Sequence, residues 1–280
     1  MRIALGQIQA TDNIEQNKQT VTRMAHEAAD AGARLFVLPE MSILDFFPRK
    51  PHHYAFFERG EPIPGPTTSW FQELAQQTGL RIVFNHYERS RSGLYYDTSV
   101  VIGEDGRYLG RQRMMHLAEE PGYNEKFYYT PGNDTYHVFD LGDWRFGIAI
   151  CYDRHFPEVF RMFVLQGAHL VLVPTAVSRS EPFAETYELE MRAAAVTHGV
   201  YIAMVNRTGS EPPLDFFGQS MVIDPFGRVV MRLGEEGNAV LIAELDMAQV
   251  RKARVMYPFL RDRRPETYTR ITTHPDCPED

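Results

Sequence analysis

The sequence predicts an α/β fold with mixed β-sheets, and three observations carry that reading. Short apolar runs alternate with helical stretches, several consecutive strands have no helix between them, and neither a repeat nor a linker divides the 280 residues. Strands joined through helices pair in parallel, whereas strands joined directly pair antiparallel, so both kinds are expected within one sheet. A chain of this length can close around one large core, and residues 1–280 are read as a single domain.

The elements follow in order. Ile3–Ile8 is the first strand. From about Ile14 to Ala31, apolar residues recur at three- and four-residue intervals (Val21, Met24, Ala25, Ala28), the period of a helix with one buried face. Gly32 is placed to end it. Leu35–Leu38 is a continuous apolar strand that stops at Pro39-Glu40. Thr67–Thr78 reads as a helix closed by Gly79, and Arg81–Asn85 and Thr98–Ile102 as strands. Arg145–Ile150 is another strand, and a helix through about Val159–Gln166 closes at Gly167. Leu170–Val173 is a strand ending at Pro174, Ala184–Thr197 a helix and Val200–Val205 a strand. Ser220–Ile223 and Ala239–Glu244 are strand-like, with Asp224-Pro225-Phe226-Gly227 as a turn between hairpin arms. From about Tyr257 the chain is charged and irregular, either an arm that packs on a neighbouring subunit or a frayed tail.

Composition narrows the function classes. With 44% hydrophobic and 24% charged residues and no low-complexity tract, the chain is of ordinary soluble globular type. A net charge of -8 argues against a nucleic-acid partner, which needs a basic footprint, and fits an anionic membrane surface poorly. No uninterrupted apolar stretch approaches the length of a transmembrane helix, and the N-terminus lacks the layout of a signal peptide. Of the two cysteines, Cys277 lies in a polar, Pro-containing tail. A structural disulfide to Cys151 is therefore not expected, and a reducing cytoplasm is the natural setting.

Three informative residues sit just past apolar strands: Glu40, Cys151 and Thr175. In open α/β architectures such positions face the ligand crevice. A cysteine held there, with a carboxylate from another strand end, has what acyl transfer from an amide needs: a soft nucleophile, a proton acceptor and an acid for the leaving amine. Each residue alone also has an ordinary reading. Cys151 would be an inert core thiol, Glu40 a helix N-terminal acid or a loop carboxylate, Met114 and Met115 gap-fillers, and His116 a satisfied core or surface histidine.

Local context changes those odds. Leu38-Pro39-Glu40 resembles the first signature of the nitrilase superfamily, and Gly147-Ile148-Ala149-Ile150-Cys151-Tyr152-Asp153-Arg154-His155-Phe156-Pro157-Glu158 resembles its nucleophile signature. Supporting blocks are Glu61–Pro66, Arg192–Ala195, Asn206–Gly209 and Asp224–Gly227, so the likeness runs to about Tyr268. The resemblance implies a four-layer αββα sandwich of two mixed β-sheets, assembled as a homodimer or higher homo-oligomer. It also implies Cys151 as nucleophile and Glu40 as general base. Pro121–Gly132 is similar to the segment of carbamoylputrescine amidases and ureidopropionase-like N-carbamoyl amidohydrolases, where Glu125 matches the second glutamate. Arg154 matches an arginine beside a substrate carboxylate pocket; an ion pair with Asp153 or Glu158 is the structural alternative. Tyr152, through its backbone N–H, together with Arg154, His116 and Thr175 forms the expected substrate-binding set. The loops around Phe46-Phe47, Glu181–Glu185 and Leu214–Phe217 would shape the pocket or a subunit contact.

One position departs from the family. The catalytic lysine lies two residues before a histidine, and here His116 and Glu125 hold register, which leaves Met114 at the lysine position. Arg113 is adjacent, but neighbouring side chains on a strand point to opposite faces. Lys126 belongs to the Glu-Lys-Phe-Tyr block. A cation beside a cysteine favours the thiolate, while carboxylates without one oppose it. Losing an oxyanion donor costs about 10²–10³ in turnover, roughly 3–4 kcal/mol. Three explanations stay open: an active enzyme whose substrate or another side chain supplies the charge, a degenerate relative that binds ligand, and a methionine introduced to trap a complex. Retention of Glu40, Glu125 and Cys151 with their flanks favours an active hydrolase of a small-molecule carbamoyl or amide substrate. A non-catalytic binding or scaffold relative and a nitrilase acting on nitriles are the rivals. Thiol chemistry needs no metal or cofactor, and the ten histidines are scattered without a ligand pattern.

Overall fold

The computed structural model of the chain describes residues 1–179, 186–235 and 237–273. Its strands are β1 (Arg2–Gln7), β2 (Leu35–Val37), β3 (Arg81–Arg89), β4 (Tyr95–Ile102), β5 (Tyr108–Arg113), β6 (Glu119–Glu120), β7 (Tyr123–Asn124), β8 (Phe139–Leu141), β9 (Trp144–Ile148), β10 (Leu170–Thr175), β11 (Tyr201–Asn206), β12 (Thr208–Glu211), β13 (Leu214–Phe217), β14 (Met221–Ile223), β15 (Val229–Arg232) and β16 (Ala239–Glu244). The helices are α1 (Ile14–Asp30), α2 (Pro66–Thr78), α3 (Glu125–Tyr128), α4 (Pro157–Leu165), α5 (Tyr187–His198) and α6 (Met247–Met256).

Two six-stranded sheets form the centre, in the orders β16-β1-β2-β3-β4-β5 and β15-β14-β11-β10-β9-β8. Strands linked through a helix run parallel: β1, β2 and β3 in one sheet, β9, β10 and β11 in the other. The directly connected strands β3, β4 and β5 run antiparallel, as do β8 and β9 at the far edge. Both sheets are therefore mixed, as the connections require.

The period-two alternation of strand side chains builds the layers. On β10, Leu170 and Leu172 enter a core shared with Leu5, Val37 and Val83 of the first sheet. Val171 and Val173 point the other way, into a core with Phe160, Phe163, Met191 and Ala195 of α4 and α5. On the first sheet, Phe36, Ile82 and Phe84 face Val21, Met24 and Phe71 of α1 and α2. The result is helix–sheet–sheet–helix, the four-layer sandwich. Local signals set the helix ends: Asn13 caps α1 by accepting from Gln16 N, Pro66 opens α2, and Gly79 closes it at φ +66.

The strands around the future site run longer than the hydrophobic pattern suggests. β3 continues to Arg89 and β4 starts at Tyr95, because the intervening charges are neutralised inside the sheet. Arg113 of β5 donates to Glu88 of β3 (Nε–Oε2 2.9 Å) and stacks on Tyr96. The β12–β13 hairpin and β15 have too little alternation to be read beforehand. Ala184, the expected start of α5, lies outside the described residues, and the helix begins at Tyr187. Past Tyr257 the described chain forms only short 3-10 turns, Pro265–Thr267 and Thr269–Thr272. Among the described residues, no helix is long and apolar enough to cross a membrane.

Strand β9 touches α4 with no room to spare: a Cβ built on Gly147 would overlap the Phe163 ring. Gly147→Ala is expected to lower the unfolding free energy by about 1–3 kcal/mol in urea titrations. Unchanged stability would mean that this close approach does not exist in solution.

Candidate active site

The cysteine turn is built on the second sheet. β9 delivers Cys151 at the start of a 3-10 turn, Cys151–His155, with φ of +43° at Cys151 itself. A non-glycine residue in the left-handed region costs about 1–3 kcal/mol and persists only where its surroundings impose it. Asp153 supplies that imposition. Its carboxylate accepts from Ile150 N (3.2 Å), His116 N (3.0 Å) and Met115 N (3.2 Å), and pairs with His116 Nδ1 at 2.7 Å. One buried side chain therefore ties the 114–116 segment to the cysteine turn. Arg154 donates from Nη1 to the Cys151 carbonyl at 3.3 Å.

Glu40 arrives from the other sheet, just past β2, and is fully buried. Its successor Met41 is also left-handed, at φ +48°. Asn85 of β3 accepts from Met41 N at 2.8 Å. Arg207, beyond the end of β11, donates from Nη1 to the carbonyls of Glu40 (3.0 Å) and Met41 (2.6 Å) and pairs with Glu211. Both sheets thus fix the Glu40 backbone while leaving its carboxyl free to face inward. The Cys151 thiol lies within hydrogen-bonding reach of that carboxyl, so the two strand-end residues do meet.

Glu125 opens α3, buried, and its Oε2 accepts from Ala118 N at 2.8 Å. A further acid belongs to this cluster and was not foreseen: Asp97 of β4, 1% exposed, which accepts from Asn85 Nδ2. The signal available was an aspartate abutting the apolar run Thr98–Ile102, on the strand paired with the Met114 segment. Burial, then the charges of Asp97 and Glu125, push the Glu40 carboxyl well above the usual carboxylate range. Burial likewise raises Asp97 to about 7, against the lowering effect of Asn85. Asp153 is also raised by burial, with His116 opposing.

Met114 is 1% exposed and donates its backbone N–H to the Asp97 carbonyl at 2.9 Å, so its side chain belongs to this neighbourhood and brings no charge. Arg113 points away into its pair with Glu88, as strand geometry requires. A small recess beside Cys151 is lined by Ala118, Glu120, Tyr123, Glu125, Tyr152 and Arg154. Tyr152, Arg154 and Glu125 were expected there; Glu120 and Tyr123 were not. His116 stacks on Phe156 and is not among the lining residues. Thr175 is fully buried and bonded to Asn206 Oδ1 at 3.1 Å, also off the recess. Among the described residues, Arg154 Nε lies 3.8 Å from Glu190 Oε2. Phe46 and Phe216 sit one layer behind Tyr123; Glu181–Glu185 fall outside the described residues. No group of three or more potential metal ligands occurs among the described residues.

A thiol, a buried carboxyl and a second glutamate from three separate segments form an arrangement suited to moving one proton between sulfur and oxygen. Comparison with known proteins gives the family. Residues 2–255 match the carbon-nitrogen hydrolase family. The chain is 32% identical to an N-carbamoylputrescine amidase of Solanum lycopersicum, over 97% of this chain and 94% of that one. It is similar to the crystal structure of a carbon-nitrogen hydrolase from Helicobacter pylori G27, with a TM-score of 0.92 and 26% identity over 98% and 99% of the two chains. A variant amidase from Nesterenkonia sp. AN1, with the acetamide moiety of fluoroacetamide added covalently at its active site cysteine, superposes with a TM-score of 0.82 at 27% identity over 96% and 95%.

The raised acid has a consequence for stability. Asp97 keeps its proton to about pH 7 in the fold, against about 4 in an unfolded chain. The folded state therefore binds more protons between those values, and this contribution is full below about pH 4 and lost as pH rises through about 7. The stability of the wild type minus that of Asp97→Asn is expected to fall across that window in urea titrations. A difference that stays flat or rises would contradict the assignment.

Proposed function

The chain belongs to the carbon–nitrogen hydrolase family, and from that premise we propose that it hydrolyses a non-peptide C–N bond through a thioester on Cys151. The substrate class is an N-carbamoyl amine, an N-carbamoyl amino acid or a small amide. The observation that carries the proposal is the meeting of the Cys151 thiol and the fully buried Glu40 carboxyl, delivered by different sheets.

In this mechanism Cys151 Sγ attacks the carbonyl carbon while its proton passes to Glu40. The backbone N–H of Tyr152 donates to the oxyanion. Collapse of the tetrahedral intermediate breaks the C–N bond, and Glu40 returns the proton to the departing amine. Glu40 then takes a proton from water, whose oxygen attacks the thioester, and the thiol is regenerated as the acid leaves. Glu125 holds the Ala118 backbone on the recess wall, and Arg154 offers a cation to an acidic end of the substrate. The buried, strained cysteine backbone supports a functional reading, since strain of this kind accumulates at working sites. A reducing cytoplasm, which keeps the thiol available, and a homo-oligomeric assembly complete the proposal.

Met114 gives the binding-protein alternative its footing, because it withholds a cation from an acidic site. Purified protein is expected to release amine or ammonia from at least one member of a panel of N-carbamoyl compounds and small amides. Cys151→Ala should abolish that release, and Met114→Lys should speed alkylation of Cys151 at neutral pH by about tenfold or more. Ligand retention without turnover by the unchanged chain would replace the hydrolase with a binding protein. Ammonia release from nitriles alone would replace it with a nitrilase.

A further inference from the structure

Glu40 is an unusual general base. Glu40 Oε1 and Oε2 and Asp97 Oδ2 are buried, and none of them receives a hydrogen bond from a backbone N–H or from a neutral amide or hydroxyl side chain. Within reach of Glu40 are two other proton carriers, the Cys151 thiol and the Asp97 carboxyl. Two ionised carboxylates offer only acceptor oxygens and cannot bond each other. Facing one another in a dry site, they are tolerable only with a proton between them.

The nearby charges offer no other remedy. From β5 comes Met114, uncharged; from α3 and the residue after it come Glu125 and Tyr129, whose hydroxyl is buried and feels Asp97, Glu40 and Glu125 together. From the cysteine turn come Cys151 and Asp153, the latter bound to His116. β3 contributes Asn85, a neutral donor to Asp97. Of the buried cations among the described residues, Arg113 pairs with Glu88 and Arg207 with Glu211 and the Glu40 main chain, while Arg154 reaches the Cys151 carbonyl from the recess wall, facing the substrate side of the thiol rather than the two carboxyls.

We infer that Asp97 is a positioning residue acting through Glu40, sharing one proton with it and so standing in for the cation that Met114 does not provide. This rests on the hydrolase reading above and gives it a proton relay. At rest above about pH 7 the pair carries one proton, held on Glu40, and one negative charge, on Asp97. As the S–C bond forms, the thiol proton moves to Glu40 and the proton that Glu40 already holds moves to Asp97, so both carboxyls are neutral beside the anionic intermediate. When the C–N bond breaks, Glu40 gives its proton to the amine and recovers the one parked on Asp97. The count of protons closes, and no charge beyond the substrate's own accumulates in the site. Asn85 orients the system, because one side chain accepts from Met41 N next to Glu40 and donates to Asp97.

The test reads the thiol directly. The rate of Cys151 alkylation by iodoacetamide, followed by intact mass against pH, is expected to show an acid limb set by the pair. In Asp97→Asn, Glu40 loses a like-charged neighbour, and the limb should move to lower pH by about one unit or more. In Glu40→Gln that limb should disappear. If Asp97 merely supports the fold, Asp97→Asn would change the rate at every pH and leave the limb in place, and the inference would be wrong. Should Asp97→Asn fail to fold, infrared spectroscopy of the wild type provides the second arm. A protonated-carboxyl carbonyl band at neutral pH that Glu40→Gln removes supports the shared proton, and its absence overturns it. Because iodoacetamide is not a substrate, a shifted limb without turnover of any panel compound would sink the hydrolase reading and leave the proton pair standing.

Discussion

Three carboxyl groups are gathered out of water around one thiol, with no ammonium beside them among the described residues, and the other contacts of the site answer to that arrangement. Glu40, Asp97 and Glu125 are each almost wholly buried. Ionised together in so dry a place they would repel one another and lose their hydration, a cost well beyond what one site can absorb. Protons resolve the conflict more cheaply than a redesign of the core, and carboxyls with raised proton affinity are the groups that acid–base chemistry near neutral pH requires. Met114, packed in the core beside this cluster, adds no charge to the balance.

The architecture maintains this unfavourable cluster by distributing its supports. Asp153 binds the cysteine turn to the 115–116 backbone, Asn85 links the Glu40 turn to Asp97, and Arg207 reaches from the second sheet to the Glu40 carbonyl. The left-handed backbone at Cys151 and Met41 is held by these side chains and by the apolar core shared between the sheets. The dry interior between two sheets also keeps the effective dielectric low, which strengthens each transfer of a proton over a short distance.

Much of this was legible beforehand, for identifiable reasons. Apolar runs such as Leu35–Leu38 and Leu170–Val173 announce strands because both of their faces are buried, and residues just past their ends become candidates for a crevice. Glu40 and Cys151 were picked out that way, and the structure brings the two side chains together; signature resemblance added Glu125. Asp97 escaped because one charged residue beside an apolar run reads as the strand's edge; only the pairing of β4 with β5 shows it beside Met114. Glu120 and Tyr123 escaped because recess walls are assembled from short strands with little pattern of their own. Thr175 satisfies the same strand-end rule, and in the structure its hydroxyl turns to Asn206 and Val205 within the sheet, off the recess.

Neutron diffraction from crystals of the deuterated protein at neutral pH sees the hydrogen isotope itself. One deuteron is expected between the Glu40 and Asp97 carboxyls. Two bare carboxylates, with a cation or oriented waters between them, would contradict it.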